Sequence, residues 1–166
     1  MLRNIAALIL TRPLLLSYRR DYSGGMAEIA TRDAYRRFTS IATRWMDNDI
    51  YGHLNNVVHY SLFDTAVNRT LIEAGLLDIH GGPVIGLVVE SGCRYHAALA
   101  FPDVIAAGLR VGRLGRSSVR YEIGLFRGDD AQAAAEGHFV HVHVDRETRR
   151  PVELPPAWRA LFEALA

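Results

Sequence analysis

The sequence lacks the features that mark disulfide-rich or nucleic-acid-binding proteins. It contains a single cysteine among 166 residues, Cys93, so an internal disulfide cannot form. A lone thiol suits a reducing compartment, and we expect a cytoplasmic protein in which Cys93 is buried and structural. The 19 basic and 18 acidic residues leave a formal net charge of +1. That charge provides no strong field to attract nucleic acid or anionic lipid, so neither partner is expected.

The sequence also has no uninterrupted hydrophobic run long enough to cross a membrane. Its most apolar leading stretch, residues 5–16, is broken by Arg12 and Pro13, whereas a membrane span needs about 20 consecutive apolar residues. No small-residue cleavage site of a secretory signal follows it. We expect residues 1–33 to be an extension, either a misassigned start, a disordered tail or an organellar leader, and residues 34–166 to form one domain.

Hydrophobic periodicity predicts one long helix in that domain. Residues 57–74 place apolar side chains at helical spacing, over a face wide enough to be buried on most sides. Asn55 or Asn56 stands where an N-cap belongs, and Gly75 stands where the helix would end. A second, short helix is predicted over residues 158–165, after a pair of prolines.

Alternation of apolar and polar residues predicts five strands around this helix. They cover residues 35–45, 84–96, 103–111, 117–127 and 131–145. Short turns join the last four strands, which indicates antiparallel hairpins. The order predicts an α+β fold. A long apolar helix needs cover on several sides, and the order permits a curved antiparallel sheet that wraps around one central helix. An ordinary two-layer α+β sandwich would give a similar pattern.

The segment between the first strand and the long helix carries most of the chemically useful side chains. It contains Asp47, Asp49 and His53, just before the start of a helix. The unpaired N–H groups of a first helical turn favour negative charge, so a carbonyl placed against them would be polarised and its oxyanion stabilised. Gly52 permits close approach of the backbone to a ligand. An upstream carboxylate could then attack that carbonyl or orient a water molecule.

The same segment, Asp-Asn-Asp-Ile-Tyr-Gly-His-Leu-Asn-Asn over residues 47–56, resembles the 4-hydroxybenzoyl-CoA thioesterase branch of the hotdog superfamily. The resemblance extends over residues 35–149 and implies the hotdog fold. It implies that Asp49 is the nucleophile or general base, and that Asn56 offers its backbone N–H to the thioester oxygen. For His53, a contact with substrate or a proton shuttle and a purely structural place in the loop stay open.

A second part of the resemblance lies in Leu-Gly-Arg-Ser-Ser over residues 114–118, which is similar to the family's G-[RK]-[ST]-S turn near the CoA portion of the substrate. Arg116 is the implied partner of the nucleotide phosphates. The implied residues that bind substrate or CoA are Gly52, Asn55, Gly115, Arg116, Ser117 and Ser118. No cofactor is implied, because CoA is part of the substrate.

Several other polar residues are interpreted as structural. Asp47 is expected to bond backbone groups of the loop. His138, His141 and His143 fall on one predicted strand, but no cysteine or carboxylate completes a ligand set at standard spacing. We therefore expect a polar strand face there and no metal.

The function implied by the resemblance is hydrolysis of an acyl-CoA thioester to the free acid and CoA. Since one protomer of this fold leaves strand edges open, a homodimer or homotetramer is expected. Two alternatives keep the fold: a non-catalytic module that binds acyl-CoA, and a hydratase or dehydratase of enoyl thioesters. The sequence has neither the Asp/His pair of a hydratase motif nor a histidine near a Pro-Gly pair.

Overall fold

The computed structural model describes residues 28–166. The extension expected over residues 1–33 therefore lies almost entirely outside the described residues. The strands are β1 (Arg37–Ala42), β2 (Val84–Tyr95), β3 (Val104–Leu114), β4 (Ser118–Arg127) and β5 (Ala135–Asp145). The helices are α1 (Asn56–Glu73) and α2 (Pro156–Ala164), and short 3-10 turns cover Arg32–Ala34 and Trp45–Asp47. Every predicted strand and both predicted helices are present.

The first strand is shorter than predicted because Asp47 bends the chain soon after it. The Asp47 carboxylate accepts a hydrogen bond from the backbone N–H of Arg44 at 2.7 Å and forms an ion pair with the Arg44 guanidinium at 2.9 Å. These contacts close the 3-10 turn of Trp45–Asp47. The alternation of side chains continues through this turn, which is why the sequence pattern alone overextends the strand.

The five strands form one antiparallel sheet in the order β1-β3-β4-β5-β2. Among residues 28–166, β2 pairs only with β5, so these residues leave its other edge open. The loop from Thr43 to Leu54 lies where β3 begins, because Thr43 N–H donates to the carbonyl of Asp103 at 3.2 Å. The turn of residues 114–118 lies where β3 ends. Loop and turn are thus at opposite ends of the same strand.

α1 packs across one face of the sheet. Phe63, Ala66 and Val67 are fully buried, and Gly137 of β5 leaves room for the Phe63 ring, since a Cβ there would lie 2.2 Å from it. The opposite side of α1 is exposed, including Asp64. Within one chain the helix is therefore less enclosed than predicted, because the sheet covers it from one side only.

The predicted polar face of β5 is wrong for two of its three histidines. His141 is 4% exposed and His143 is 0% exposed. Both lie on the inner face of the sheet, where His143 packs against Trp158 of α2 at 5.0 Å and His141 against Tyr121 at 5.1 Å between ring centroids. His138 is an odd number of residues away from both, so it lies on the opposite face of β5. There it hydrogen-bonds Glu90 at 2.9 Å. His141 and His143 are buried because α2 covers this end of the sheet.

Residues ahead of the expected domain boundary already contact the sheet. Thr31 forms an isolated bridge with Gln132, and Ala30 accepts a hydrogen bond from the N–H of Ala133 at 3.0 Å. Tyr35 then packs on the outer face of the sheet against Phe126. Among the helices of the described range, none is both long and apolar enough to cross a bilayer.

Candidate active site

Asp49 begins a tight loop whose backbone folds onto its carboxylate. Its own N–H donates to the carbonyl of His53 at 2.8 Å, and its carbonyl accepts from the N–H of Gly52 at 3.2 Å. One carboxylate oxygen, Oδ1, accepts from the N–H of Tyr51 at 2.8 Å and of His53 at 3.4 Å. Gly52 has φ +82°, a left-handed conformation that favours glycine. Within residues 28–166, Oδ2 of Asp49 accepts no hydrogen bond, so the loop fixes only one of the two carboxylate oxygens.

The loop returns directly to the start of α1. Asn48 and Leu54 form an antiparallel bridge, which brings the chain around Asp49 back beside the residues that precede the helix. Asn55 is the N-cap, and its side-chain oxygen accepts from the N–H of Val57 at 3.2 Å. Asn56 is the first helical residue, and its N–H has no acceptor in the described part of the chain. An unpaired donor at a helix N-terminus is suited to bind a developing oxyanion.

Asp47 has a different environment from Asp49, although only two residues separate them. Burial alone would raise the pKa of Asp47, but the hydrogen bonds and charge of Arg44 outweigh it and hold that pKa below its ordinary value. The Asp47 carbonyl also accepts from the N–H of Asn55 at 2.9 Å. Asp47 therefore stays ionised and braces the loop, as expected from the sequence, and both of its carboxylate oxygens are engaged.

His53 takes part in the loop through its backbone. Its carbonyl and N–H both bond Asp49, and the described residues offer its exposed side chain no hydrogen bond. The catalytic and structural interpretations of His53 therefore both stay predictions.

Apolar side chains surround the loop without being covered by this chain. Trp45 is 81% exposed, Ile50 92%, Tyr51 77% and Val57 65%. Large apolar groups so exposed around a polar loop indicate a surface that another molecule covers.

The predicted CoA-binding turn is well defined but distant from Asp49. The N–H of Gly115 donates to the carbonyl of Ser118 at 2.7 Å, and Arg159 of α2 donates to the carbonyl of Gly115 at 3.0 Å. The Arg116 side chain is 83% exposed and lies 3.6 Å from Glu153. β3, with 11 residues, separates this turn from the loop, a span of roughly 30 Å at the rise of a strand. One chain does not bring the two predicted parts of the site together.

His59 was not singled out from the sequence, yet it adjoins the start of α1. His59 is 4% exposed, and its Nδ1 lies 3.3 Å from the carbonyl oxygen of Asn55. Its ring contacts Tyr95 of β2 edge-on, with centroids 4.9 Å apart. Burial lowers the pKa of His59, against the opposing effect of the Asn55 carbonyl. The spacing of four residues from the N-cap is the feature that could have identified His59.

The remaining candidates for chemistry are accounted for by packing. Cys93 is half-buried, and burial raises the pKa of its thiol to about 11, so it is protonated and a weak nucleophile at neutral pH. In the part of the chain that the structure describes, no three His, Cys, Asp or Glu side chains are grouped so as to hold a metal ion. That no cofactor is needed stays a prediction.

Comparison with known proteins is consistent with this arrangement. A family model described as the thioesterase-like superfamily matches residues 43–162, which include the loop, the sheet from β2 onward and most of α2. No curated protein matches the chain.

Solved structures give similar folds. The PA5185 protein from Pseudomonas aeruginosa strain PAO1 is 56% identical, with a TM-score of 0.81 over 83% of this chain and 96% of that one. The PA2801 protein from the same species is 29% identical, with a TM-score of 0.72 over 76% and 98%. Slr0204, a 1,4-dihydroxy-2-naphthoyl-CoA thioesterase from Synechocystis, is 16% identical, with a TM-score of 0.68 over 75% and 93%. The predicted hotdog fold is confirmed.

Proposed function

Because the chain belongs to the thioesterase-like superfamily, we propose that it hydrolyses an acyl-CoA thioester to the free acid and CoA at the loop of residues 49–56. Its membership confirms the predicted class, a thioester hydrolase. One observation carries the finer proposal: a carboxylate oxygen of Asp49 and the N–H of Asn56 are both left without partners in the described chain, on two segments that a backbone bridge holds together.

In the proposed reaction the thioester carbonyl oxygen accepts a hydrogen bond from the N–H of Asn56. The positive end of the α1 dipole stabilises the negative charge that develops on that oxygen. Asp49 Oδ2 then attacks the carbonyl carbon, or removes a proton from a water molecule that attacks it. The C–S bond breaks. With an activated water, the proton that Asp49 removes passes to the CoA thiolate, and the acyl group leaves as a carboxylic acid. With direct attack, a second water hydrolyses the anhydride on Asp49, which releases the acid, restores the carboxylate and supplies the proton to the CoA thiolate. We leave the choice between a covalent anhydride and an activated water open.

These protein groups supply the negative charge, the proton transfer and the oxyanion donor, so the proposed mechanism requires neither a metal nor a redox cofactor. We place the enzyme in the cytoplasm because its single cysteine suits a reducing compartment.

We further propose that two copies pair through the open edges of β2. Val88 and Val89 lie near the middle of this strand and are 50% and 61% exposed, and a long apolar edge strand invites pairing with another chain. A two-fold axis would place the two β2 strands antiparallel, giving one continuous sheet. A homotetramer built from such dimers is compatible with this interface.

Dimerisation would also complete the site. β2 begins at the end of the sheet that carries the turn of residues 114–118 and finishes at the end that carries Asp49, because Val84 pairs with Asp145 and Tyr95 with Ala135. Antiparallel pairing of two β2 strands therefore brings the turn of one protomer towards the Asp49 loop of the other. In this proposal each acyl-CoA is bound by both copies, with its CoA portion at the partner's turn.

Charged side chains placed on the edge of β2 test the proposed interface. Replacing both Val88 and Val89 with lysine should convert the oligomer to a monomer, because like charges meet across the two-fold axis, and thioester hydrolysis should fall in parallel. Sedimentation velocity measures the mass in solution. A control with lysine at Ala157 and Ala160, two exposed positions of α2, should keep the wild-type mass. A dimer that survives the Val88 and Val89 substitutions would place the interface elsewhere.

The activity itself is tested on the full-length protein by following thiol release from aromatic, short-chain and long-chain acyl-CoAs, and from an acyl carrier protein thioester. We expect catalytic release from at least one acyl-CoA. Binding of acyl-CoA without release would favour the non-catalytic module. Loss of the conjugated double bond of an enoyl-CoA without thiol release would favour a hydratase.

A further inference from the structure

His59 is a buried titratable residue one turn from the proposed oxyanion donor, and the mechanism above does not use it. It lies one turn into α1 and is 4% exposed, with its ring held edge-on by Tyr95 from β2. Helical side chains point back towards the N-terminus, so the imidazole lies over the first turn. This is the turn that contains Asn55 and Asn56.

The hydrogen bond of His59 defines its tautomer. Nδ1 lies 3.3 Å from the carbonyl oxygen of Asn55, and a carbonyl can only accept, so Nδ1 carries the proton. The same carbonyl accepts from the N–H of Val58 at 2.9 Å. As the carbonyl of the N-cap it also accepts the first intrahelical bond, from the backbone N–H of His59, so the imidazole is a third donor to this oxygen.

That carbonyl belongs to the same peptide group as the N–H of Asn56. A peptide group is planar and trans, so its C=O and N–H point in opposite directions and turn together. A donor that holds the Asn55 carbonyl therefore also holds the direction of the Asn56 N–H. A hydrogen bond to the carbonyl further polarises the peptide and makes its N–H a stronger donor.

We propose that His59 is a positioning residue that orients and polarises the Asn56 N–H through the shared peptide group, so that this N–H meets the oxyanion of the thioester. The proposal rests on the proposed function, because it assigns His59 to the same reaction. In this role the His59 imidazole is neutral and transfers no proton. It donates one hydrogen bond throughout the cycle. Its effect falls on the transition state, where charge develops on the oxygen, more than on substrate binding.

Two substitutions separate the hydrogen bond from the packing. His59→Phe keeps an aromatic ring against Tyr95 but has no donor. His59→Asn loses the ring but places an amide N–H near the position of Nδ1. We expect kcat to fall about 100-fold in His59→Phe, the effect of a small misplacement at a reacting centre, with KM unchanged, and to be substantially retained in His59→Asn. The control substitutions are His138→Phe and His138→Asn, since His138 bonds Glu90 away from the loop.

The relative activity and stability of the two His59 variants test the proposal. If His59 only packs the fold, His59→Phe should be the more active and the more stable of the two, which would overturn the proposal. Equal loss in both variants, together with loss of a pH-dependent limb of kcat, would show that the imidazole itself transfers a proton and would also overturn it.

A measurement without substrate separates this proposal from the proposed function. The amide resonance of Asn56 should shift in His59→Phe but not in His59→Asn. An unchanged Asn56 amide in His59→Phe would overturn the positioning role. Absence of thioester hydrolysis by the wild type would overturn the proposed function while this test of the peptide group still stood.

Discussion

Replacing Asp49 with asparagine should lower kcat for thioester hydrolysis by about 10²–10⁴-fold, the usual contribution of a positioned acid or base. Asparagine has nearly the same shape, and its side-chain oxygen can still accept the N–H of Tyr51 that Oδ1 accepts at 2.8 Å. The loop should therefore keep its conformation while the negative charge is lost. Because the charge is needed only for attack on the carbonyl, binding of a non-hydrolysable acyl-CoA analogue should be unchanged.

Asp47 provides the matched control, since it is a carboxylate in the same loop. It is 4% exposed and bonded on both oxygens by Arg44. Asp47→Asn should lower Tm, because it weakens a brace, while the folded fraction retains most of its kcat. The comparison needs thermal melts and single-turnover assays on both variants. Full activity in Asp49→Asn, or an inactive but fully stable Asp47→Asn, would show that the site is placed on the wrong carboxylate.

The elements of this fold could be predicted because each depends on local pattern. The helical spacing of residues 57–74 and the period-two strands describe single segments. α1, β2 and β4 lie within one residue of the predicted limits, whereas β3 ends three residues later and β5 begins four residues later than predicted. The cap at Asn55 was one of two predicted candidates, since asparagine there can accept an N–H of the first turn. The loop chemistry around Asp49 could be proposed for the same reason, as its residues are consecutive.

The features that were not predicted depend on contacts between segments that are far apart in the sequence. His141 and His143 are two residues apart, which places them on one face of β5. That this face is buried follows only from the position of α2. His59 matters through a contact with a backbone carbonyl, which hydrophobic periodicity does not describe. The turn of residues 114–118 has a recognisable sequence, yet its distance from Asp49 follows from the length and direction of β3.

Acidification from pH 7 to pH 4 should strongly destabilise the protein, because burial lowers the pKa of both His141 and His143 from 6.5 to about 4. The unfolded chain binds protons on these residues below pH 6.5, whereas the folded chain stays neutral there until about pH 4. Stability is therefore complete above pH 6.5 and is lost as the pH falls towards 4. Each shift corresponds to about 3 kcal/mol in the free energy of unfolding. The pair therefore accounts for about 6 kcal/mol, which is as large as the total stability of many domains.

The surroundings of the two rings explain why burial outweighs the one opposing effect, that of the Ser117 backbone on His143. Nε2 of His141 and both ring nitrogens of His143 are buried without a hydrogen-bond partner in residues 28–166. The titratable group that faces them from β4 is Tyr121, whose hydroxyl is also unpartnered, and α2 faces them with Trp158 and Phe162. No carboxylate of the described chain forms an ion pair with either ring, and each imidazolium would repel the other.

A double variant with leucine at His141 and His143 tests this cause directly. It should be at least as stable as the wild type at pH 7, because buried unpaired nitrogens are removed, and it should lose most of the fall in Tm between pH 6.5 and pH 4. His138→Leu, the control on the same strand, should keep the wild-type pH dependence because it leaves both buried rings in place. A wild-type Tm that is equal at pH 7 and pH 4, or a double variant that melts earlier on acidification as the wild type does, would contradict the assignment. The retained dependence would then have to come from carboxylates held ionised in the fold, of which Asp47 beside Arg44 is the most buried.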